Sequence, residues 1–400
     1  MRNGLWVTAL LSVVAPAALV VGQPGAPILP GRPAAVPNGA APGYVPPKAG
    51  GPVVVLLDEG DDALFPLMNN VVGEPGTVAR EGRDAFTGVD AVRVTPLQRY
   101  QARVPGWAFK VAGDPRAGEY RYARFAWKKA GGSGVMVQFH DADRPEWRLR
   151  YFAGRNIPGW EAKSVAGAVP REWQLVTRDL FADFGAATVS GIALTAMDGE
   201  AALFDHVLLG RTLADLDRAT DDALGRSKPA AALGGKERDG LWADLGGPER
   251  KKAAAALRAF LATAPDQVGY VGDRLPRPDP AVAARAQKLV AAFGADAFDA
   301  RQAATAEAVR LGPAALPAVR EAAKSADPEV AYRAGLVLQK LGDDGQGSPL
   351  PPRAVRVLER AATPAARDVL TRLAAGQYGA DYAGDASAAL ARLGPPGPRP

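Results

Sequence analysis

Hydrophobic and polar residues alternate most clearly in the middle of the chain, between residues 119 and 209. In segment 135–139, Val, Val and Phe alternate with Met and Gln, which is the period of a β-strand with two different faces. Residues 120–127 are rich in aromatic side chains, which also favour strands. The glycines of segment 131–134 separate the two. This pattern predicts an antiparallel hairpin.

The same reading extends over residues 52–217. Short apolar segments separated by Gly, Pro and Asp predict strands at 53–57, 91–95, 108–111, 120–128, 135–140, 147–152, 160–164, 173–177, 189–196 and 202–209. So many short strands in so short a stretch favour an antiparallel β-sandwich of the jelly-roll type over an α/β fold.

The end of this region carries the most specific motifs. They are segment 173–180, which runs from Trp to Asp-Leu, Phe-Gly at 184–185, segment 191–194, and segment 203–207, which contains Phe-Asp. Residues 52–211 resemble galactose-binding-like and carbohydrate-binding-module jelly rolls in these motifs. The resemblance implies the scaffold and does not identify a ligand.

After residue 217 the strand pattern ends. Residues 218–238 are polar and rich in Gly and Ala, which predicts a linker. From residue 239 to 394 the chain is dense in Ala, Leu, Arg and Glu. Helix starts are indicated where a capping residue precedes Pro, as at Asp279, Asp327 and Thr363, and helix ends where Gly follows Leu, as at Gly312 and Gly394.

A recurring helix pair of about thirty residues predicts a short α-solenoid over 239–394. Segment 327–342 resembles the second helix of a HEAT-like repeat. In that family an Asp and an Arg brace neighbouring repeats, which implies such roles for Asp327 and Arg333, with Arg301 as a further candidate. The irregular segment 343–352 interrupts the pattern.

The N-terminus predicts export. Arg2 precedes an apolar run from Leu5 to Val21, and Gly22 offers a cleavage point, so residues 1–22 are predicted to be a signal peptide, with an uncleaved membrane anchor as the alternative. Residues 23–51 are mostly Pro, Gly and Ala and predict a disordered linker, as do residues 395–400 for the tail. We therefore expect a periplasmic or secreted protein without membrane contact after cleavage.

Composition narrows the chemistry. The 400 residues carry a formal charge of +5, and the Arg250–Lys252 cluster follows Glu249, which favours a solvated helix face and no nucleic-acid partner. Cysteine is absent, which excludes disulfides, zinc-thiolate sites and cysteine nucleophiles. No nucleophile elbow, P-loop or His-Glu-x-x-His motif is present. His140 precedes Asp141 and Asp143, and the favoured interpretation of this segment is a solvated polar loop between two strands. No enzyme is predicted.

Aromatic residues are the candidate ligand contacts. Trp127 and Trp173 share strand faces with apolar residues and are predicted to be core. Trp107 and Trp160 follow Pro-Gly pairs and open strands, where an indole can present a flat apolar face to a sugar ring or a protein. Trp147 and Tyr151, on one predicted strand face, complete the predicted ligand-binding set. The alternative is that these rings cap the sandwich.

The jelly-roll resemblance also implies a structural calcium ion where the first and last strands meet. The matching residues are Asp58 and Glu59 at the end of the first strand and Asp205 on the last. Calcium needs six to eight oxygen ligands, so backbone carbonyls and water would have to complete the site. The alternative is that Asp205 accepts hydrogen bonds from backbone N–H groups. No other cofactor is predicted.

Together these features predict a non-catalytic exported binding or scaffold protein. The sandwich would bind a glycan or a protein, and the helical repeats would dock a protein partner. The alternative is a carbohydrate-active protein, either a sugar-binding module or a concanavalin-like glycoside hydrolase.

Overall fold

A computed structural model describes residues 44–59, 63–69, 75–227, 233–275, 279–341, 350–378 and 380–395. The predicted signal peptide, most of the predicted N-terminal linker and of the 343–352 interruption, and all but the first residue of the predicted tail lie outside these residues. The described chain holds two β-sheets, one antiparallel and one mixed, followed by a helical part, as the change of pattern near residue 217 predicts. No described helix is both long and apolar enough to cross a membrane.

The β part runs from residue 53 to residue 210. Its strands are β1 (Val53–Leu57), β2 (Val78–Glu81), β3 (Ala91–Val94), β4 (Gln98–Gln101), β5 (Phe109–Val111), β6 (Glu119–Tyr120), β7 (Tyr122–Ala130), β8 (Gly134–Asp141), β9 (Glu146–Gly154), β10 (Lys163–Ala166), β11 (Gln174–Asp179), β12 (Ala187–Thr195) and β13 (Ala201–Gly210). Two short helices lie among them, α1 (Leu64–Asn69) and α2 (Leu180–Phe184).

The strands form two sheets that pack face to face. The six-stranded sheet has the order β11-β7-β13-β3-β2, with β1 also on β13. The seven-stranded sheet has the order β10-β9-β8-β12-β5-β6, with β4 also on β12. Most pairs are antiparallel, but β10 runs parallel to β9 and β6 runs parallel to β5. One apolar core between the sheets contains Phe125, Trp127 and Phe139, all fully buried.

The helical part begins before the predicted boundary. Helix α3 (Leu213–Ala223) packs on β13 and β1, and buried Thr220 bonds to Arg124 and His206 of the sandwich. Residues 218–223 are therefore part of a docked helix and not of the predicted linker. Likewise Tyr44, in the predicted disordered segment 23–51, lies against the sandwich and accepts a hydrogen bond from Trp107.

The remaining helices are α4 (Gly235–Gly246), α5 (Arg250–Ala262), α6 (Ala264–Arg274), α7 (Pro280–Ala291), α8 (Phe298–Leu311), α9 (Leu316–Ala322), α10 (Pro328–Lys340), α11 (Leu350–Ala361), α12 (Pro364–Ala374) and α13 (Ala380–Leu393). They pack around two separate cores. One core joins α4–α6 with α11–α13, and the other joins α7–α10. Helix α6 packs directly on α11. In a serial solenoid each repeat contacts only its sequence neighbours, so the helices described here are not one regular array over 239–394.

The predicted brace between helices is present with a different acid. Arg301 and Arg333 both donate to Glu329, at 3.0 and 2.6 Å, and Arg333 also donates to Thr305 of α8. Asp327 instead accepts from the backbone N–H of Glu329 at 2.9 Å, so it is the helix cap that its position before Pro predicts.

Candidate functional site

The outer face of the seven-stranded sheet forms a groove of about 700 Å³. We call this concave surface the groove. It is lined by Tyr100, Ala102, His140, Arg144, Pro145, Glu146, Trp147, Arg148, Arg150, Glu161, Ala162, Lys163, Asp183 and Phe184. Strands β4, β8 and β9 supply its floor, and the segment before β10 supplies one wall. The groove brings aromatic and polar side chains together on one concave surface.

A buried hydrogen-bond network fixes the polar floor beneath the groove. Gln138 of β8 donates to Thr195 Oγ1 at 2.8 Å and to Gln98 Oε1 at 3.2 Å. Its own Oε1 accepts from Arg150 Nε at 2.7 Å. Since an amide held at both ends cannot rotate freely, Arg150 is fixed in position above the sheet. The alternation of Gln138 with Val137 and Phe139 predicts that Gln138 lies on a different face of β8 from these two residues. It does not predict that Gln138 bonds to Gln98 of β4.

Two aromatic clusters flank this floor. At one side the ring of Trp147 packs edge-on against Tyr100, at 5.6 Å between centroids, and against His140, at 5.2 Å. At the other side the Arg150 guanidinium lies 5.2 Å from the centre of the Trp160 ring. Asn156 donates to the Trp160 carbonyl at 2.7 Å and so fixes the loop that presents this indole. Trp147 and Trp160 are both half-buried. Trp147 lines the groove, and Trp160 lies next to it through its contact with the lining residue Arg150.

A β-bulge places Trp147 in the groove. Phe139 pairs with Leu149 but Asp141 pairs with Glu146, so β9 carries one extra residue between these pairs. The extra residue reverses the alternation, and Trp147 therefore lies beside His140 rather than on the core face with Tyr151. The sequence prediction that Trp147 and Tyr151 share a face is corrected by this bulge, which strict alternation does not reveal.

The other two predicted ligand contacts lie in the core. Tyr151 has no exposed surface, and its hydroxyl donates to Asp183 at 2.9 Å. Trp107 is 5% exposed and is covered by Tyr44. Both rings are unavailable to a ligand in this arrangement, because sandwich residues cover their faces. Both rings pack in the apolar core of the sandwich, in agreement with the alternative prediction that they serve the sandwich and not a ligand.

The predicted calcium residues lie at a different place, where the sandwich meets the helical part. Asp205 accepts from the backbone N–H groups of Phe86, Thr87 and His206 at 2.8, 2.9 and 2.7 Å. Glu59 accepts from the backbone N–H of Val89 at 3.0 Å. Apart from His206 of β13, these N–H groups belong to one loop, residues 86–89. Asp205 therefore accepts backbone hydrogen bonds, which is the alternative predicted for it.

Helices of the C-terminal part bind the same loop from the opposite side. Arg356 of α11 donates to the carbonyls of Gly88 and Phe86, and Arg250 of α5 lies 3.1 Å from the Asp90 carboxylate. We call this region the seam, formed by Glu59, residues 86–90, Asp205, Arg250 and Arg356. Val89 is buried in the helical core. The loop is thus held by both parts of the molecule.

The seam does not fit a calcium site. The carboxylate oxygens of Asp205 already accept backbone hydrogen bonds, while calcium requires six to eight free oxygens. The positive charge of Arg356 interacts with both Asp205 and Glu59. Within the described ranges, no group of three or more His, Asp or Glu side chains is arranged to hold a metal ion.

Burial changes the acid–base behaviour of the seam. It raises the pKa of Glu59 to about 8, and repulsion from Asp58 adds to this. Burial likewise raises the pKa of Asp205 to about 8, with repulsion from Glu59 as the second cause. The two carboxyl groups therefore hold protons at a pH where exposed acids have lost them.

Known structures resemble the β part. The family 30 carbohydrate-binding module of a cellulosomal cellulase of Clostridium thermocellum is 16% identical, with 42% of this chain and 91% of that chain covered and a TM-score of 0.24. A family 11 carbohydrate-binding module from the same organism, solved with a β-1,3-1,4-mixed-linked tetrasaccharide, is 10% identical, with coverage of 35% and 86% and a TM-score of 0.23.

A further similar structure is the C-terminal family 22 carbohydrate-binding module of a Clostridium thermocellum protein, at 16% identity and a TM-score of 0.19, with 36% of this chain and 89% of that chain covered. Comparison with protein-family models and with curated proteins gave no match. The similar structures are β-sandwiches that match the β part alone. At these identities and TM-scores they carry no argument about a ligand.

Proposed function

We propose that this protein is a non-catalytic, exported binding protein whose sandwich binds a carbohydrate in the groove. The observation that carries the proposal is the groove itself, where half-buried indoles flank a fixed polar floor. A sugar ring offers an apolar face for stacking and hydroxyl groups for hydrogen bonds, so it matches both features.

The fixed network supports this proposal energetically. Gln98, Gln138 and Thr195 are buried and bonded to one another before any ligand arrives. Arg150 and Trp160 are held on the same scaffold. Preorganised side chains lose little conformational entropy on binding, which favours recognition of a flexible chain such as a polysaccharide.

The test is affinity electrophoresis of the full chain in gels containing mixed-linkage β-glucan, xylan or galactomannan, with polygalacturonate as an acidic comparison. We expect retardation by at least one neutral polysaccharide. Trp160→Ala should abolish most of it. Tyr332→Ala is the matched control, since Tyr332 is an aromatic residue of α10 that is 62% exposed and remote in sequence from the groove. No retardation by any polysaccharide would refute the proposal.

A second function, docking of a protein partner by the helical part, is favoured by one observation. Phe298 of α8 and Tyr332 of α10 are large apolar residues that are 61% and 62% exposed on the same group of helices. Exposed aromatic residues are typical of protein interfaces. Crosslinking of the exported protein in its native cell envelope, with and without Phe298→Ser, tests this function. An unchanged crosslinking pattern would count against it.

A further inference from the structure

His140 lies at the floor of the groove with most of its surface buried. It is the outward-facing residue near the end of β8, and its ring packs edge-on against Trp147. It is 6% exposed and belongs to the groove lining. Its environment therefore determines which hydrogen-bonding groups the floor offers.

A chain of hydrogen bonds sets the protonation of the ring. His140 Nδ1 lies 2.9 Å from Ser190 Oγ, and Ser190 Oγ lies 3.1 Å from the carbonyl oxygen of Ala102. Because a carbonyl can only accept, we assign the hydroxyl hydrogen of Ser190 to the Ala102 oxygen, the nearer of two carbonyls in reach; the other, of His140, is 3.5 Å away. Ser190 Oγ then accepts from His140, which places the imidazole hydrogen on Nδ1.

The backbone holds this chain in place. A second bulge, between the pairs Val189–Asp141 and Gly191–His140, inserts Ser190 opposite the histidine. A Cβ at Gly191 would lie 2.4 Å from the Ala102 oxygen, so only glycine lets β12 approach this carbonyl so closely. The strand geometry therefore holds Ser190 within hydrogen-bond distance of both His140 and Ala102, as the Nδ1–H form requires.

The second nitrogen of the ring is left open. Among the described residues no hydrogen bond to His140 Nε2 is present, and His140 is part of the groove lining. The other histidine, His206, differs because its Nε2 is 2.9 Å from Thr220 Oγ1 inside the protein. Of the two, only His140 offers an unused imidazole acceptor at the groove.

We propose that His140 Nε2 accepts a hydrogen bond from a hydroxyl group of the carbohydrate bound in the groove. This inference rests on the proposed function. It adds one contact atom, His140 Nε2, which binds ligand groups that donate a hydrogen and not groups that only accept one. A carboxylate or an ether oxygen at the same place would have no hydrogen to donate, so the floor selects a ligand with a free hydroxyl beside the Trp147 edge.

The charges around His140 set the pH range. Burial lowers its pKa below the usual 6.5, the positive charge of Arg103 lowers it further, and Asp141 and Glu146 act in the opposite direction. Trp147, Tyr100 and Ser190 pack nearby without charge. His140 is therefore neutral at neutral pH. Protonation at lower pH turns Nε2 into a donor, so binding weakens as the pH falls through the His140 pKa.

The experiment measures binding of the panel polysaccharide that the full chain retards most, by isothermal titration calorimetry from pH 4 to pH 8. His140→Asn keeps an amide donor near the Nδ1 position but has no group at Nε2. We expect it to bind roughly fivefold to tenfold more weakly at pH 7, the size of one hydrogen bond. We also expect it to lose the drop at low pH.

Arg103→Gln tests whether His140 titration controls binding, because a purely structural role of His140 would leave the pH midpoint of binding unchanged. Arg103 is exposed and outside the groove lining. Its removal should leave affinity at pH 7 unchanged and move the midpoint of the pH dependence upward. Equal affinity and equal pH profiles for wild type and His140→Asn would overturn the inference while leaving the proposed function intact. Failure of the wild type to bind any polysaccharide would refute both.

Discussion

The groove and the seam are both polar clusters on the same sandwich, but they use their hydrogen-bonding groups in opposite ways. In the seam, Asp205 takes the N–H groups of a neighbouring loop and Arg356 takes its carbonyls, so the protein binds itself. In the groove, the hydrogen bonds of Ser190 stop at His140 Nδ1, and no described residue bonds His140 Nε2. The indole of Trp147 beside it is only half-buried. Polar groups satisfied internally hold a structure together, whereas fixed groups left open are available to a ligand.

The comparison extends to the aromatic residues. Trp127 has no exposed surface, and its Nε1 donates to Gln174 at 2.9 Å within the six-stranded sheet. Trp160 lies at the opposite layer, half-buried beside Arg150. The same residue type therefore serves the core in one place and a candidate binding surface in the other.

The largest expected effect on stability distinguishes Trp127 from Trp160. Trp127→Ala should lower the free energy of unfolding by about 3–5 kcal/mol, because it leaves a cavity in the core. Trp160→Ala should cost less than about 1 kcal/mol and should instead remove polysaccharide retardation. Urea unfolding and affinity electrophoresis of both variants check this. A stable Trp127→Ala protein would contradict the assignment of that ring to the core.

Breaking the seam should have the next largest effect. Arg356→Ala removes a charged donor from the carbonyls of Gly88 and Phe86, so we expect a loss of about 1.5–3 kcal/mol. Arg360→Ala, an exposed position one turn further along α11, is the matched control and should change stability by less than about 0.5 kcal/mol. Equal urea midpoints for the two variants would show that the seam contributes little.

The seam should also make stability depend on pH. Because the pKa values of Glu59 and Asp205 are raised from 4.5 and 3.8 to about 8, the folded protein holds protons that the unfolded chain releases between these values. The contribution of these two acids to the free energy of unfolding should therefore fall as the pH rises from about 4 to 8. Buried His206, whose pKa is lowered to about 4, acts in the opposite direction below pH 6.5, so the net fall should be steepest above that pH. The two acids titrate as a coupled pair.

Glu59→Gln sharpens this test, since the amide oxygen can still accept from Val89 while the charge is removed. Without Glu59 the repulsion on Asp205 is also smaller, so the pH slope should decrease by more than half. Glu237→Gln, at an exposed position of α4, is the control and should leave the slope unchanged. Identical slopes for Glu59→Gln and the wild type would contradict the raised pKa values.

The sequence predicted much of the sandwich because its strands have regular alternation between clear turn residues. It missed β2 and β4, where segments such as Gln98–Gln101 place Gln, Arg and Tyr in a strand without an apolar face. It also predicted a linker where α3 docks, since the contacts of Thr220 with Arg124 and His206 are distant in sequence and leave no local signal.

The groove was only partly predictable for a related reason. Trp160 could be proposed from the Pro-Gly pair before it, but Trp147 reaches the groove through a bulge, and a bulge breaks the periodicity that the prediction uses. The partners of Gln138 and the tautomer of His140 depend on pairing between β4, β8 and β12, which local pattern does not determine. Local sequence patterns thus predicted where the strands lie, whereas the groove depends on how the strands pair with one another.

The smallest expected effect concerns a helix cap, a feature that the local sequence was sufficient to predict. Asp327 caps α10 through the N–H groups of Glu329 and Val330, and its side chain is exposed. Asp327→Ala should therefore cost about 1 kcal/mol, the usual value of a helix cap. Lys324→Ala, three residues earlier and exposed, should cost less than about 0.5 kcal/mol. Because Arg333 is held by Glu329 and not by Asp327, the cap variant should leave the contact between α8 and α10 intact. Hydrogen exchange of α10 amides checks this: faster exchange in the first turn alone supports a cap, whereas faster exchange throughout α8 and α10 would assign Asp327 the bracing role instead.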